Sequence, residues 1–183
     1  MSSIKYKENR AWSDGHIPAI MDELIDNHKI RGLKIIEWWV SSNNDDREKG
    51  VDVYLKIEDN TTCGVAIRMR KKYTHDTTIR SLGENGHKAE WYKMMDGSYK
   101  ADYMFYAESA PDDSDFTIRR YRILDVPLLI DFIIYSDERP TIENDQVKNR
   151  NIGGKINDLS AFVPCNRLPM MNHNPDIFVY EKL

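Results

Sequence analysis

Cysteine is scarce in this chain, with only Cys63 and Cys165 in 183 residues. Neither has a metal-type spacing to another cysteine or to a nearby histidine, so two reduced, mostly buried thiols are expected, with a disulfide as the minor alternative. None of the five histidines (His16, His28, His75, His87, His173) pairs with another at i+3 or i+4, which argues against a zinc site. There is no Walker A loop and no Gly-x-Gly-x-x-Gly, which disfavours nucleotide-fuelled and dinucleotide chemistry. Ser-His-Asp or Cys-His catalysis stays open, though without a Gly-x-Ser-x-Gly elbow. Long apolar runs are missing too. The longest, from Val126 to Tyr135, contains Asp131 and falls short of a bilayer span. The opening residues lack the apolar stretch of a secretory signal. A cytoplasmic protein with no membrane partner is therefore expected.

Positive charge is not in excess. With 26 Lys and Arg against 30 Asp and Glu, the net charge is −4, which disfavours wholesale, non-specific nucleic-acid binding. The basic residues are unevenly spread, and a local basic face stays open. A hydrophobic content of 40% and a charged content of 31% describe a soluble globule, and the length suits one domain.

Residues 1–16 are polar and read as an arm. Ile17 to Asn27 carries apolar residues at helical spacing, and Gly32 fits a stop after it. Leu33 to Val40 is strand-like, and 41–49 reads as a turn or loop. Val51, Val53 and Leu55 alternate with Asp52, Tyr54 and Lys56, the pattern of a half-buried strand. Glu58 to Thr61 suits a hairpin turn, and Cys63 to Met69 the next strand. Further strands are expected at 77–82, 101–107 and 116–124, with helices at 87–95 and 126–135. Asp125 is expected to cap the last of these helices, with Pro127 in its first turn. Residues 177–180 suggest a final strand. The expected class is α/β, a single domain with a mixed, mainly antiparallel sheet flanked by helices. Its expected parts are the arm (1–16), the α/β domain (17–135) and a C-terminal extension packed on it (136–183).

The stretch most concerned with chemistry runs from Asp46 to Glu90. An acid, Asp52, enters one strand; Arg68 and Arg70 leave the next. Phosphodiester cleavage by a metal-activated water needs hard oxygen ligands for Mg²⁺ or Mn²⁺ and a cation at the phosphate. Acids and an Arg or Lys at the ends of adjacent strands supply both. On the helix that follows, Glu90 and Lys93 share a face at i+3.

This layout resembles the PD-(D/E)xK, or restriction-endonuclease-like, nuclease superfamily over Ile17 to Ala107. Asp52, after Gly50, matches the family's metal-binding Asp. The family's acid-x-Lys falls on Ala66-Ile67-Arg68, where Ala replaces the acid and Arg replaces Lys. Some members bring the missing acid from the next helix, and Glu90 is placed to do so. The resemblance implies a Mg²⁺-dependent endonuclease acting on DNA. Asp52 and Glu90 would be metal ligands, Arg68 would sit at the phosphate, Lys93 would be nearby, and Glu23 would be an auxiliary acid. Many members dimerise, so a homodimer is a reasonable expectation. Arg70, Lys71, Lys72 and Arg80 would extend a nucleic-acid surface, and so would Arg119, Arg120 and Arg122 if their strands neighbour. Trp38, Trp39, Trp91, Tyr92, Tyr103, Phe105 and Tyr106 are either core or base-stacking platforms. The size and polar, Asn- and Lys-containing sequence look similar to accessory proteins of bacteriophages or mobile elements. Such proteins often serve as small effectors or inhibitors. Two readings therefore stand: an active nuclease, or a non-catalytic protein on the same scaffold that binds nucleic acid or a protein partner. In the second, Asp52 is a strand residue paired to Arg68 or Arg70, and Glu90 with Lys93 is a surface pair.

Overall fold

The computed structural model describes residues 3–71, 76–80, 90–109 and 116–135, together with strands at 141–143, 146–148, 160–164 and 178–182. Two helices open the chain, α1 (Ser3–Gly15) and α2 (Ile17–Asn27). Strands β1 (Lys29–Ile30), β2 (Leu33–Val40), β3 (Val53–Ile57), β4 (Thr62–Arg70) and β5 (Asp76–Arg80) follow. After them come α3 (Glu90–Met95), β6 (Tyr103–Glu108), β7 (Arg120–Asp125) and α4 (Val126–Tyr135). The remaining strands are β8 (Thr141–Glu143), β9 (Gln146–Lys148), β10 (Ser160–Pro164) and β11 (Phe178–Lys182).

The main sheet has seven strands in the order β1-β2-β3-β4-β6-β7-β11. Every neighbouring pair is antiparallel except β4 and β6, which run parallel. A parallel pair needs a crossover, and α3 lies in it. The class is thus mixed α/β, a single domain whose mixed sheet is flanked by helices. β5 stays outside this sheet and pairs with β10, while β8 and β9 form their own antiparallel pair.

Alternation along the strands divides the apolar residues between two cores. Val53, Leu55, Ile57, Val65, Ile67, Phe105 and Ile123 pack with Ile17, Ile20, Met21 and Leu24 of α2. On the other face Val51, Ala66, Met104, Tyr106 and Leu124 pack with Met94 of α3 and Val126 and Leu129 of α4. Asp125 caps α4 as its sequence suggests, its Oδ1 accepting the Leu128 amide at 3.0 Å.

Several elements differ from their sequence expectations. The polar segment 1–16 holds α1. Gly32 is not a helix stop: α2 ends at Asn27, and Arg31 (φ 52°) and Gly32 (φ 80°) make the two-residue turn between β1 and β2. Two positive φ values in succession are what a tight hairpin requires. In 41–49, residues Asp45–Lys49 form a π-helical turn closed by Gly50 at φ 70°. β7 begins at Arg120, later than expected, so Arg119 precedes it. α3 begins at Glu90, and 87–89 lie outside the described residues. So does Cys165; Cys63 is a buried free thiol.

Candidate functional site

Arg68 leaves β4 on the α3 side of the sheet, where its guanidinium forms an ion pair with Glu90, the first residue of α3. Glu90 is 6% exposed and the Arg68 side chain 20%. One turn on, Lys93 Nζ donates to the Arg47 carbonyl, tying α3 to the Asp45–Lys49 turn. Inside that turn Lys49 contacts Asp45 at 2.7 Å. The hydrogen bond from Lys49 lowers the Asp45 carboxyl pKa, and Asp45 in turn raises that of Lys49. Beside them, burial raises the Tyr54 hydroxyl.

Asp52 reaches β4 from the other side. Its Oδ2 accepts the Ile67 amide at 2.6 Å, and its own amide donates to the Val65 carbonyl at 2.9 Å. The carboxylate thus takes the place of a backbone acceptor where β3 starts. It also lines a cleft of about 270 Å³ with Arg10, Asp14, Pro18, Trp38 and Asp46. Arg10 of α1 reaches the rim, with Nη2 2.7 Å from Asp46 and Nε 3.4 Å from Asp14. Two consecutive residues of β4, Ile67 and Arg68, therefore anchor Asp52 and Glu90. Among the described residues, no group of three or more His, Cys, Asp or Glu is placed to hold a metal.

Strand pairing settles where the arginines stand. Arg68 lies opposite Tyr106, and Tyr106 opposite Arg122; Arg70 lies opposite Glu108, and Glu108 opposite Arg120. Opposed residues share a face, so the four arginines form two rows flanking Tyr106 and Glu108 at the carboxyl ends of β4 and β6. Arg70 Nε donates to the Tyr106 hydroxyl at 2.7 Å. Of the buried polar residues described, Glu90, Lys93, Glu108, Ser109 and Arg122 all belong to this neighbourhood of α3, β6 and β7. Only His16 lies elsewhere, packed between Trp12 and Phe116. Charged residues are seldom buried without a reason.

The remaining sequence candidates scatter. Lys71 turns away from Arg70: its Nζ lies 3.3 Å from Asn9 Oδ1 and 4.9 Å from the Trp12 ring of α1. Lys72 and the side chain of Arg80 lie outside the described residues, as does the side chain of Trp91. Glu23 sits on the α2 face of the sheet, the opposite face from Glu90, and its Oε1 accepts the Tyr121 hydroxyl at 2.6 Å. His28 Nε2 lies 2.6 Å from the same hydroxyl, so Glu23 is fixed in a helix-to-sheet network. Tyr103, Phe105 and Tyr106 are buried core residues, and Trp38 packs on the core. Trp39 is 39% exposed and stacks on Tyr54.

The sequence did not single out Glu108 or Ser109. Glu108 had one available signal, a charge closing an otherwise aromatic and aliphatic strand. Among the described residues no helix is long and apolar enough to cross a membrane. No protein-family model matches the sequence, and neither does any curated protein.

Proposed function

We propose that this chain is a metal-dependent nuclease of restriction-endonuclease-like architecture, hydrolysing phosphodiester bonds in DNA. The observation that supports the reading is that two adjacent residues of β4 hold the two acids, the Ile67 amide bonding Asp52 and Arg68 pairing with Glu90, with buried charge around Glu90. The order of helix, strands and helix supports the architecture. Mg²⁺ takes one or two protein carboxylates and keeps several waters, so by donor chemistry Asp52 and Glu90 would be the hard-oxygen ligands to hold it. When bound, the divalent ion acts as a Lewis acid on the phosphodiester and activates water for attack. Arg68 stays protonated throughout and clamps a phosphate oxygen rather than moving a proton. Before substrate arrives, its pairing with Glu90 keeps the buried carboxylate compensated. Lys93 holds α3 to the Asp45–Lys49 turn and so fixes Glu90.

One observation favours a second reading, a catalytically inactive relative that binds nucleic acid or a protein partner, of phage-accessory or anti-defence type. Ala66 stands where the family carries an acid, and it is fully buried in an apolar cluster.

The deciding experiment is a cleavage assay on plasmid, linear and single-stranded DNA and on RNA. It is run with Mg²⁺, Mn²⁺ or EDTA, wild type beside Asp52→Asn. Metal-dependent cutting that the substitution abolishes is the expected result. Folded protein that cuts nothing overturns the nuclease reading in favour of the binding one.

A further inference from the structure

The outer edge of the sheet, whose Trp38, Val40 and Ser41 also line the Asp52 cleft, carries a second observation. β2 has eight residues, yet β1 pairs only with its first two, Leu33 and Lys34. None of the other described strands pairs with the rest of that edge. A β-bulge between Ile35 and Glu37 disturbs the start of the open stretch. From Glu37 the ladder with β3 is regular, and the Ser41 amide extends it by donating to the Asp52 carbonyl at 3.0 Å. Among the described residues, the open, regular segment is therefore Glu37-Trp38-Trp39-Val40-Ser41.

This segment has almost none of the usual protection of an edge strand. It contains no lysine and no proline, and its only charge is Glu37. Trp39 is 39% exposed, Val40 58% and neighbouring Ile36 54%. On the α3 side Trp39 stacks on Tyr54, with ring centroids 5.7 Å apart, which broadens the apolar surface.

We propose that this edge pairs antiparallel with the same edge of a second copy of the chain, about a two-fold axis at Trp39. Five regular residues centred on Trp39 set that register. Trp39 then faces Trp39 of the other copy, Trp38 faces Val40, and Glu37 faces Ser41. The single charge meets a hydroxyl, and no like charges oppose one another. The two Trp39–Tyr54 stacks meet at the centre, where interface energy concentrates in aromatic residues. One segment thus supplies both the backbone ladder and the side chains that such an isologous contact needs. A foreign strand would need a matching apolar sequence of its own.

The test is light scattering of the full chain from about 1 to 200 μM with Trp39→Lys, Trp39→Cys and, as control, Ile25→Lys on α2, itself an exposed apolar residue. The wild type and Ile25→Lys are expected at twice 21.5 kDa, and Trp39→Lys at the monomer mass with an unchanged circular dichroism spectrum. Trp39→Cys is expected to form a symmetric disulfide on mild oxidation, because directly opposed residues lie within disulfide range. A wild type that is monomeric throughout overturns the proposal. So does a dimer that survives Trp39→Lys. Neither result touches the nuclease reading, which the cleavage assay decides separately.

Discussion

Arg68 and Glu90 form an ion pair that joins the central strand of the sheet to the first residue of α3. Truncating one partner leaves the other as an uncompensated buried charge, whereas removing both does not. Arg68→Ala is therefore expected to cost about 3 kcal/mol in urea unfolding. Adding Glu90→Gln to Arg68→Ala is expected to recover a sizeable part of that loss. Equal stability of Arg68→Ala and the double variant would show that an uncompensated Glu90 charge is not the source of the loss.

The proposed ion binding at Asp52 and Glu90 gives a second prediction, with a readout separate from cleavage. A ligand that binds only the folded chain stabilises it by about 2.7 kcal/mol at a hundredfold excess over Kd. For a chain of this size that raises Tm by about 5 °C or more. Mn²⁺ is expected to produce this rise in the wild type and little of it in Asp52→Asn or Glu90→Gln. An equal rise in all three would place the ion elsewhere.

Gly50 and Gly32 both have positive φ, and replacing each with alanine should give different results. A Cβ on Gly50 would collide with the Tyr99 ring, whereas one on Gly32 would meet nothing within 4 Å. Gly32→Ala carries only the left-handed backbone cost, about 1 kcal/mol. Gly50→Ala adds a collision at the turn that Lys93 grips, and is expected to cost at least about 2 kcal/mol more. Comparable denaturation midpoints for the two variants would contradict this packing.

Burial raises the pKa of the Cys63 thiol, and burial also raises that of the Tyr103 hydroxyl, against an opposing hydrogen bond from Arg31. Each group holds its proton more tightly when folded. Their contribution is whole below the unfolded pKa and is lost as pH rises toward the folded one. Stability is therefore expected to fall above about pH 8.5, where an ordinary thiol ionises. Urea midpoints at pH 7.5, 9 and 10.5 check this, and Cys63→Ala should flatten the decline. A midpoint independent of pH in that window would refute it.

The strands around Asp52 were legible because alternation at Val51–Leu55 and Val65–Met69 is a local signal. The class followed from the same alternation and from the helical spacing of Ile17–Leu24. Gly32 misled because a glycine after a helix reads alike whether it ends that helix or turns a hairpin a few residues later. α1 was hidden by its polarity: contacts from Arg10 and Lys71, rather than an apolar stripe, attach it to the rest. That Arg68 and Arg122 flank Tyr106 could not be read locally, because it depends on β6 inserting parallel to β4. The Asp52 bond to the Ile67 amide gives no sequence signal at all.

The crossover between β4 and β6 makes the site's two halves differ in kind. Arg68 sits in the ladder between β4 and β6, past the last β3 pair at Val65, and Asp52 is tied to the same strand through Ile67. Glu90 and Lys93 ride on a six-residue helix, held by its packing and by side-chain bonds to Arg68 and Arg47. Such segments open locally at lower free energy than the strands they cover. Amide protons of α3 should therefore exchange faster than those of Ile67 or Phe105. The Arg68–Glu90 pair would come apart in those brief openings while every strand stayed paired.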